Sequence, residues 1–217
     1  AEIARIETAA GDPYRVFTPF SRAWSKAPRR ELAKRPRRLS SPGAVAAGSI
    51  LSEGEMGADA RAKRIAEAFS PGEGASRKLM RKAVEGADDY ARVRDLPGEA
   101  ATTHLSPALH LGTISPRECE ALLIARGTKG ARAVRRQLGW RDFWLHVIRN
   151  FPENRNEEHD QAFRGMSWND DPEALRAWKE GRTGVPWVDA GMRQLLAQGW
   201  MHNRVRMAVA SYLTKNL

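Results

Sequence analysis

The chain is poor in several things that would otherwise narrow its chemistry. Cys119 is the single cysteine among 217 residues, which excludes an intramolecular disulfide and suits a reducing compartment, the cytoplasm. The five histidines are scattered, with no cysteine beside them, so nothing has metal-ligand spacing and no metal is expected. No apolar run approaches the roughly 20 residues of a membrane span, and the first residues lack the apolar block of a signal peptide. The expected setting is therefore soluble and intracellular, with no membrane partner. No internal repeat is visible. Acid is the scarcer charge: 26 Asp and Glu face 36 Lys and Arg, a formal net charge of +10. A polyanion is the first partner such a balance suggests, and nucleic acid fits best.

What is present is mostly helical punctuation. PYRVFTPFSRAW carries Tyr14, Val16 and Phe17 ahead of Pro19, which predicts one short strand leaving a sheet and turning. From Ser25 to Ser52, Lys26, Arg29, Arg30, Lys34, Arg35, Arg37 and Arg38 crowd together with Pro28 and Pro36, opposed only by Glu31. That is the composition of a basic, solvated tether between domains. After Gly57 the period becomes helical: Ile65, Ala66 and Phe69 precede Pro71, and Leu79, Ala83, Gly86, Tyr90 and Val93 recur up to Pro97 and Gly98. Ser106 before Pro107 and Ser115 before Pro116 each predict an N-cap followed by a first-turn proline, with Glu118 completing a capping box on Ser115. A long helix from about Ala131 to Phe151 carries Val134, Leu138, Trp140, Phe143, Trp144, Leu145, Val147 and Ile148. Being apolar on almost every side, it should be central and buried.

Three runs carry candidate chemistry. In GWMHNRVRM, Gly199 reads as the stop of a helix whose apolar positions are Val188, Met192, Leu195 and Leu196. Beyond it Asn203, Arg206, Met207 and Ala210 share one helical face, while Val205, Val209, Tyr212 and Leu213 share the opposite one. The second set packs as core and the first is left to face a ligand. On the long helix Gln137, Trp140, Arg141 and Trp144 fall at i, i+3, i+4 and i+7, an amide, two indoles and a guanidinium along one stripe. Such a stripe suits a flat base, since stacking contributes roughly 1 to 3 kcal/mol per base, similar to the cost of unstacking a nucleotide. TTHLSPALHLG sets Thr102, Thr103 and several backbone N–H groups ahead of a helix start, a place that binds phosphate. The Trp140 and Asn203 segments are expected to converge on a single pocket.

Together these residues resemble the DNA photolyases and cryptochromes, and within them the class I cyclobutane pyrimidine dimer photolyases. PYRVFTPFSRAW resembles the end of the family's N-terminal α/β antenna domain. LSPALHLGTISP resembles its flavin phosphate loop, and QLGWRDFW with WKEGRTGVPWVDAGMRQLLAQGWMHNRVRMAVASYLTKNL its helical flavin domain. The implied fold is mainly α: part of a helical FAD-binding domain (71–217), preceded by a remnant strand of the α/β domain (1–24) and a long basic linker (25–70). By position, the resemblance gives Tyr90, Thr102, Thr103, His104, Leu105 and Ser106 to the FAD ribityl and pyrophosphate. Asn203 and Arg206 go beside the flavin and adenine, with Gln137 and Arg141 also among the cofactor positions. Arg94, Gln137, Trp140, Arg141, Trp144, Asn203, Arg204 and Met207 match the DNA face and the cavity for the flipped dimer. Gln137, Trp140, Asn203 and Met207 are the catalytic set, and Trp168 matches a surface tryptophan that relays an electron to the flavin.

The resemblance implies light-driven repair of pyrimidine dimers in DNA by electron transfer from reduced FAD, by a monomeric carbon–carbon lyase. A folate or deazaflavin antenna chromophore belongs to the parent protein only. Asn203 within WMHN favours dimer repair over the six-four branch, whose members carry histidine there. Two positions depart from the pattern: Gln137 replaces a glutamate that bonds the lesion, and His104 replaces an arginine. The chain also stops before the segment that brings further flavin residues, so an internal fragment is expected. Gln137 leans toward a cryptochrome-like photoreceptor without repair activity. A flavin-free basic DNA-binding helical module is the third reading.

Overall fold

The structure is a computed structural model that describes residues 2–34, 36–38, 40, 43, 48–52, 54–99 and 101–217. Arg35, part of the basic run, lies outside the described residues. In chain order the α-helices are α1 (Phe17–Lys26), α2 (Ala60–Ala68), α3 (Glu73–Glu85), α4 (Tyr90–Val93) and α5 (Ser106–Leu111). They continue with α6 (Pro116–Arg126), α7 (Lys129–Asn150), α8 (Pro172–Glu180), α9 (Pro186–Gln198) and α10 (Asn203–Asn216). Two compact units are formed, Ala1–Glu31 with Glu73–Asp170, and Leu32–Gly72 with Asp171–Leu217.

In the first unit α7 is the axis against which α1, α4 and α6 pack. Its start is fixed by Thr128, whose hydroxyl accepts from Ala131 N at 3.2 Å. Gly130 lets it pass close to the 3-10 turn at Gly86–Asp89: a Cβ there would stand 1.8 Å from the Ala87 carbonyl oxygen. Ala131, Val134, Leu138, Phe143 and Val147 then face a core shared with Phe20, Trp24, Met80 and Leu123. The helix is central as expected, but one flank meets solvent, with Trp144 52% and Leu145 45% exposed.

The strand expected at Tyr14–Phe17 is corrected: no strand occurs among the described residues, and Phe17–Lys26 is helical. Phe17, Phe20 and Trp24, at i, i+3 and i+7, bury one face of α1 against α7. Pro19 sits in the first turn, where its missing N–H is not needed. Upstream, the segment is held by buried His146, whose Nε2 accepts from Tyr14 N at 3.0 Å. Arg29 is likewise no solvated tether residue. It grips Glu120 with Nε and Nη2, both at 2.8 Å, and Arg135 Nε adds a third bond at 2.9 Å.

The Ser115 cap forms, accepting from Glu118 N at 3.4 Å, while the Glu118 carboxylate accepts from Arg77 at 2.9 Å. Ser106 does not cap. Leu105 already has helical angles (φ −80°, ψ −10°) and accepts from Leu109 N, so the turn begins one residue early and Ser106 is its first helical residue.

In the second unit Asp171 caps α8 by accepting from Glu173 N and Ala174 N at 3.0 and 2.9 Å. Asp189 of α9 accepts from Thr183 N and Oγ1 (2.7 Å each) and Gly184 N (3.0 Å), fixing the loop between α8 and α9. Gly199 ends α9 in the left-handed region (φ +65°), as expected, and a Cβ there would lie 2.8 Å from Ile65 of α2. The α9–α10 contact is tight at Gly191, where a Cβ would meet Val205 Cγ1 at 2.4 Å. Val188, Met192, Met201, Val205 and Val209 form this unit's core.

Candidate functional site

On α10 the two faces separate as the sequence predicts: Val205 and Val209 are buried and Tyr212 and Leu213 are partly buried, whereas Asn203, Arg204, Arg206, Met207 and Ala210 are exposed. Asn203 Nδ2 and Arg204 Nη1 each lie 3.9 Å from the Met207 sulfur, which brings amide, guanidinium and thioether into one exposed group. Arg206 reaches only the Met201 carbonyl, at 3.4 Å, and pairs with no carboxylate among the described residues. What aims the start of this helix is His202, a residue the sequence reading passed over. It is 2% exposed, its Nδ1 accepts from Arg204 N at 3.1 Å, and its Nε2 is buried with no partner among the described residues.

In the first unit the α7 stripe is assembled, but with one side already used. Phe17 lies flat on Trp140, ring centroids 3.6 Å apart and planes 9° from parallel, and Trp144 continues the stack at 6.3 Å and 24°. Trp140 is therefore partly core, and Trp144 is the indole with a free surface. Gln137 Nε2 donates to Ala133 O at 3.4 Å. Arg141 lies 3.5 Å from Asp142, and Asp142 also accepts from Trp24 Nε1 at 2.8 Å.

Tyr90 opens α4 and packs against the core as a partly buried ring. Burial pushes its phenol above the ordinary range, with Arg94 pulling it down and Asp95 adding to the rise. Arg94 itself lies 3.7 Å from Asp95. In the loop before α5, Thr102, Thr103 and His104 are half-buried, and Leu105 is in the core. His104 holds φ +51°, the one non-glycine residue with positive φ among the described residues. Such a conformation costs of order 1 kcal/mol or more and concentrates at ligand sites. The two threonine hydroxyls make no hydrogen bond among the described residues. Trp168 stands apart on the stretch before α8 and is 54% exposed.

Residues 134–217 match the family described as the FAD binding domain of DNA photolyase. The chain belongs to the DNA photolyase and cryptochrome family. It is 37% identical to the deoxyribodipyrimidine photo-lyase of Agrobacterium fabrum, over 100% of this chain and 47% of the relative. With that of Halobacterium salinarum it shares 41%, over 98% and 46%. Among solved structures, a class III photolyase from Agrobacterium tumefaciens superposes with a TM-score of 0.92 at 36% identity, over 100% of this chain and 47% of that one. A Synechocystis cryptochrome gives 0.81 at 26%, over 97% and 46%. The chain thus spans about half the length of the relatives it matches. Its helices are those of the family's FAD-binding domain, and the mainly α expectation holds.

Proposed function

We propose that this chain serves light-driven repair of cyclobutane pyrimidine dimers in DNA, as part of an FAD-dependent photo-lyase. The observation that carries the reading is the exposed Asn203–Arg204–Met207 group on a helix whose opposite face is solid core. A purely structural helix would not need an amide, a guanidinium and a thioether converged on its open side. The uncommitted Thr102 and Thr103 hydroxyls beside the left-handed His104 fit the phosphate-bearing end of FAD, with Tyr90, Leu105 and Ser106 completing that set. When bound and reduced, FAD supplies the light-excited electron that opens the cyclobutane ring.

The chain's own residues bind and orient. Thr102 and Thr103 donate to phosphate oxygens, and Asn203 and Arg206 are the flavin and adenine contacts on α10. The open surface of Trp144 stacks a base, while Trp140 walls the lesion cavity from its Phe17-backed position. Gln137 both donates to and accepts from the lesion, but as an amide it delivers no proton. Arg94, Arg141 and Arg204 meet backbone phosphates, which fix register rather than sequence. Trp168, with its exposed indole, passes an electron inward. The assignment to the dimer branch rests on Asn203 within WMHN. The class I reading rests on motif alone, and the class III structure has the higher TM-score of the two neighbours described above.

The test illuminates flavin-loaded, reduced protein with dimer-containing DNA and counts the dimers lost. Loss only in the light is the expected result, and persistence of dimers overturns the repair reading. Gln137 and the Synechocystis likeness favour a second reading, a photoreceptor. A light-driven flavin spectral change with all dimers intact would select it.

A further inference from the structure

A half-open cavity of about 160 Å³ lies between α1 and α7, edged by Ser21, Trp24, Ser25, Arg132, Arg135 and Arg136. None of these residues belongs to the flavin or lesion positions above. The volume holds about five waters, at roughly 30 Å³ each. Its aromatic floor is closed to a base: Trp24 and Phe17 are each 4% exposed. Arg29 and Arg135 guanidiniums lie 4.5 and 4.9 Å from the Trp24 ring, and Trp140 and Arg136 lie against Phe17. The fitting ligand is therefore a compact anion.

The charge around the cavity is one-sided. Glu120 binds both Arg29 and Arg135, and Asp142 is set against Arg141. Arg132 spends one N–H on the Gly127 carbonyl, at 2.6 Å, and keeps four other donors. Neither Arg132 nor Arg136 pairs with a carboxylate among the described residues, and both are exposed.

We propose that this cavity, through Arg132 and Arg136, seats a backbone phosphate of the DNA. Arg132, Arg136, Trp140 and Trp144 follow one another at intervals of four along α7, so the two arginines extend the aromatic stripe. At 1.5 Å per residue they stand about 12 and about 6 Å along the helix axis from Trp140. That is the span of about two to four nucleotides at 3.4 Å per phosphate. The assignment rests on the DNA reading above and adds to it a phosphate subsite built on α1 and α7.

Fluorescence anisotropy with labelled duplexes, with and without a dimer, tests it across a salt series. For the variant carrying both Arg132→Gln and Arg136→Gln, which loses the one phosphate they share, the plot of log affinity against log salt becomes shallower by about one, equally for both duplexes. Ser25→Glu puts a carboxylate at an exposed edge of the cavity and weakens low-salt binding at least about tenfold with both arginines in place. Circular dichroism verifies that both variants are folded. A wild-type salt dependence that the double variant leaves unchanged overturns the subsite and spares the DNA reading, whereas a wild-type chain that binds no DNA overturns both. Tight binding of inorganic phosphate at Arg132 and Arg136, with the DNA slope unchanged, assigns the cavity to a free anion and also overturns the proposal.

Discussion

Glu120 is buried to 4% exposure and takes hydrogen bonds from two guanidiniums. Burial acts to raise its pKa, but Arg29 and Arg135 outweigh it and hold the carboxyl below its ordinary 4.5. A group depressed in this way stabilises the fold fully above pH 4.5, and the contribution is lost as pH falls through the lower folded value. Glu120→Gln should therefore cost about 3 kcal/mol at neutral pH, because it strands two arginines. It should also flatten the loss of stability on acidification. Urea midpoints from pH 3 to 7 measure both, and a variant with the wild-type acid profile would refute the assignment. Cys119, on the same helix, is fully buried and its thiol is pushed up to about 11, by burial first and then by Glu118 and Glu120. It should resist thiol reagents until the chain is unfolded, which a colorimetric thiol titration in native and denaturing buffer checks. Neither partnership was legible in the sequence. Composition shows arginines and glutamates in number, but nothing local selects Arg29, some ninety positions away, as the partner of Glu120.

Whether an element could be read depended on where its partners lie. The α10 faces were legible because helical period alone decides which residues share a side, and α9 supplies the core for one of them. Helix α1 was misread because Tyr14, Val16 and Phe17 have strand propensity, while the residues that make α1 helical, Phe143 and Trp140, come more than a hundred positions later. The same distance hid the cavity between α1 and α7 and the covering of one Trp140 face by Phe17.

Glycines at helix contacts allow a graded test. At Gly191 an added methyl would meet side chains, those of Val205 and Val209 at 2.4 and 3.0 Å and of Met201 at 3.7 Å. Gly191→Ala should cost about 1 to 3 kcal/mol. At Gly130 the obstacle is backbone, at 1.8 and 2.5 Å, which cannot change rotamer, so Gly130→Ala should cost more than Gly191→Ala. Gly86 has nothing within 4 Å of an added Cβ, and Gly86→Ala should be neutral or stabilise by up to about 1 kcal/mol. Thermal melts of the three variants give the order, and a Gly130→Ala no worse than Gly191→Ala would contradict the described close approach.

The formal charge of +10 was the earliest clue to a polyanionic partner, yet a total says nothing about which cations touch phosphate. Many arginines are spoken for: Arg29 and Arg135 by Glu120, Arg77 by Glu73 and Glu118, Arg126 by Asp88. Paired guanidiniums of this kind release few counterions when DNA binds. Arg204, Arg132 and Arg136 are exposed, and each phosphate neutralised contributes about 0.9 to the salt slope on duplex DNA. Arg204→Gln should therefore flatten the slope by about one, whereas Arg77→Gln, which breaks an ion pair and meets no phosphate, should leave it unchanged. Counterion release counts phosphates one by one, so joining Arg204→Gln to the Arg132 and Arg136 replacements, which together give up one phosphate, should flatten the slope by about two. A slope that falls equally for any lost arginine, paired or not, would mean that overall charge rather than these particular side chains draws the DNA.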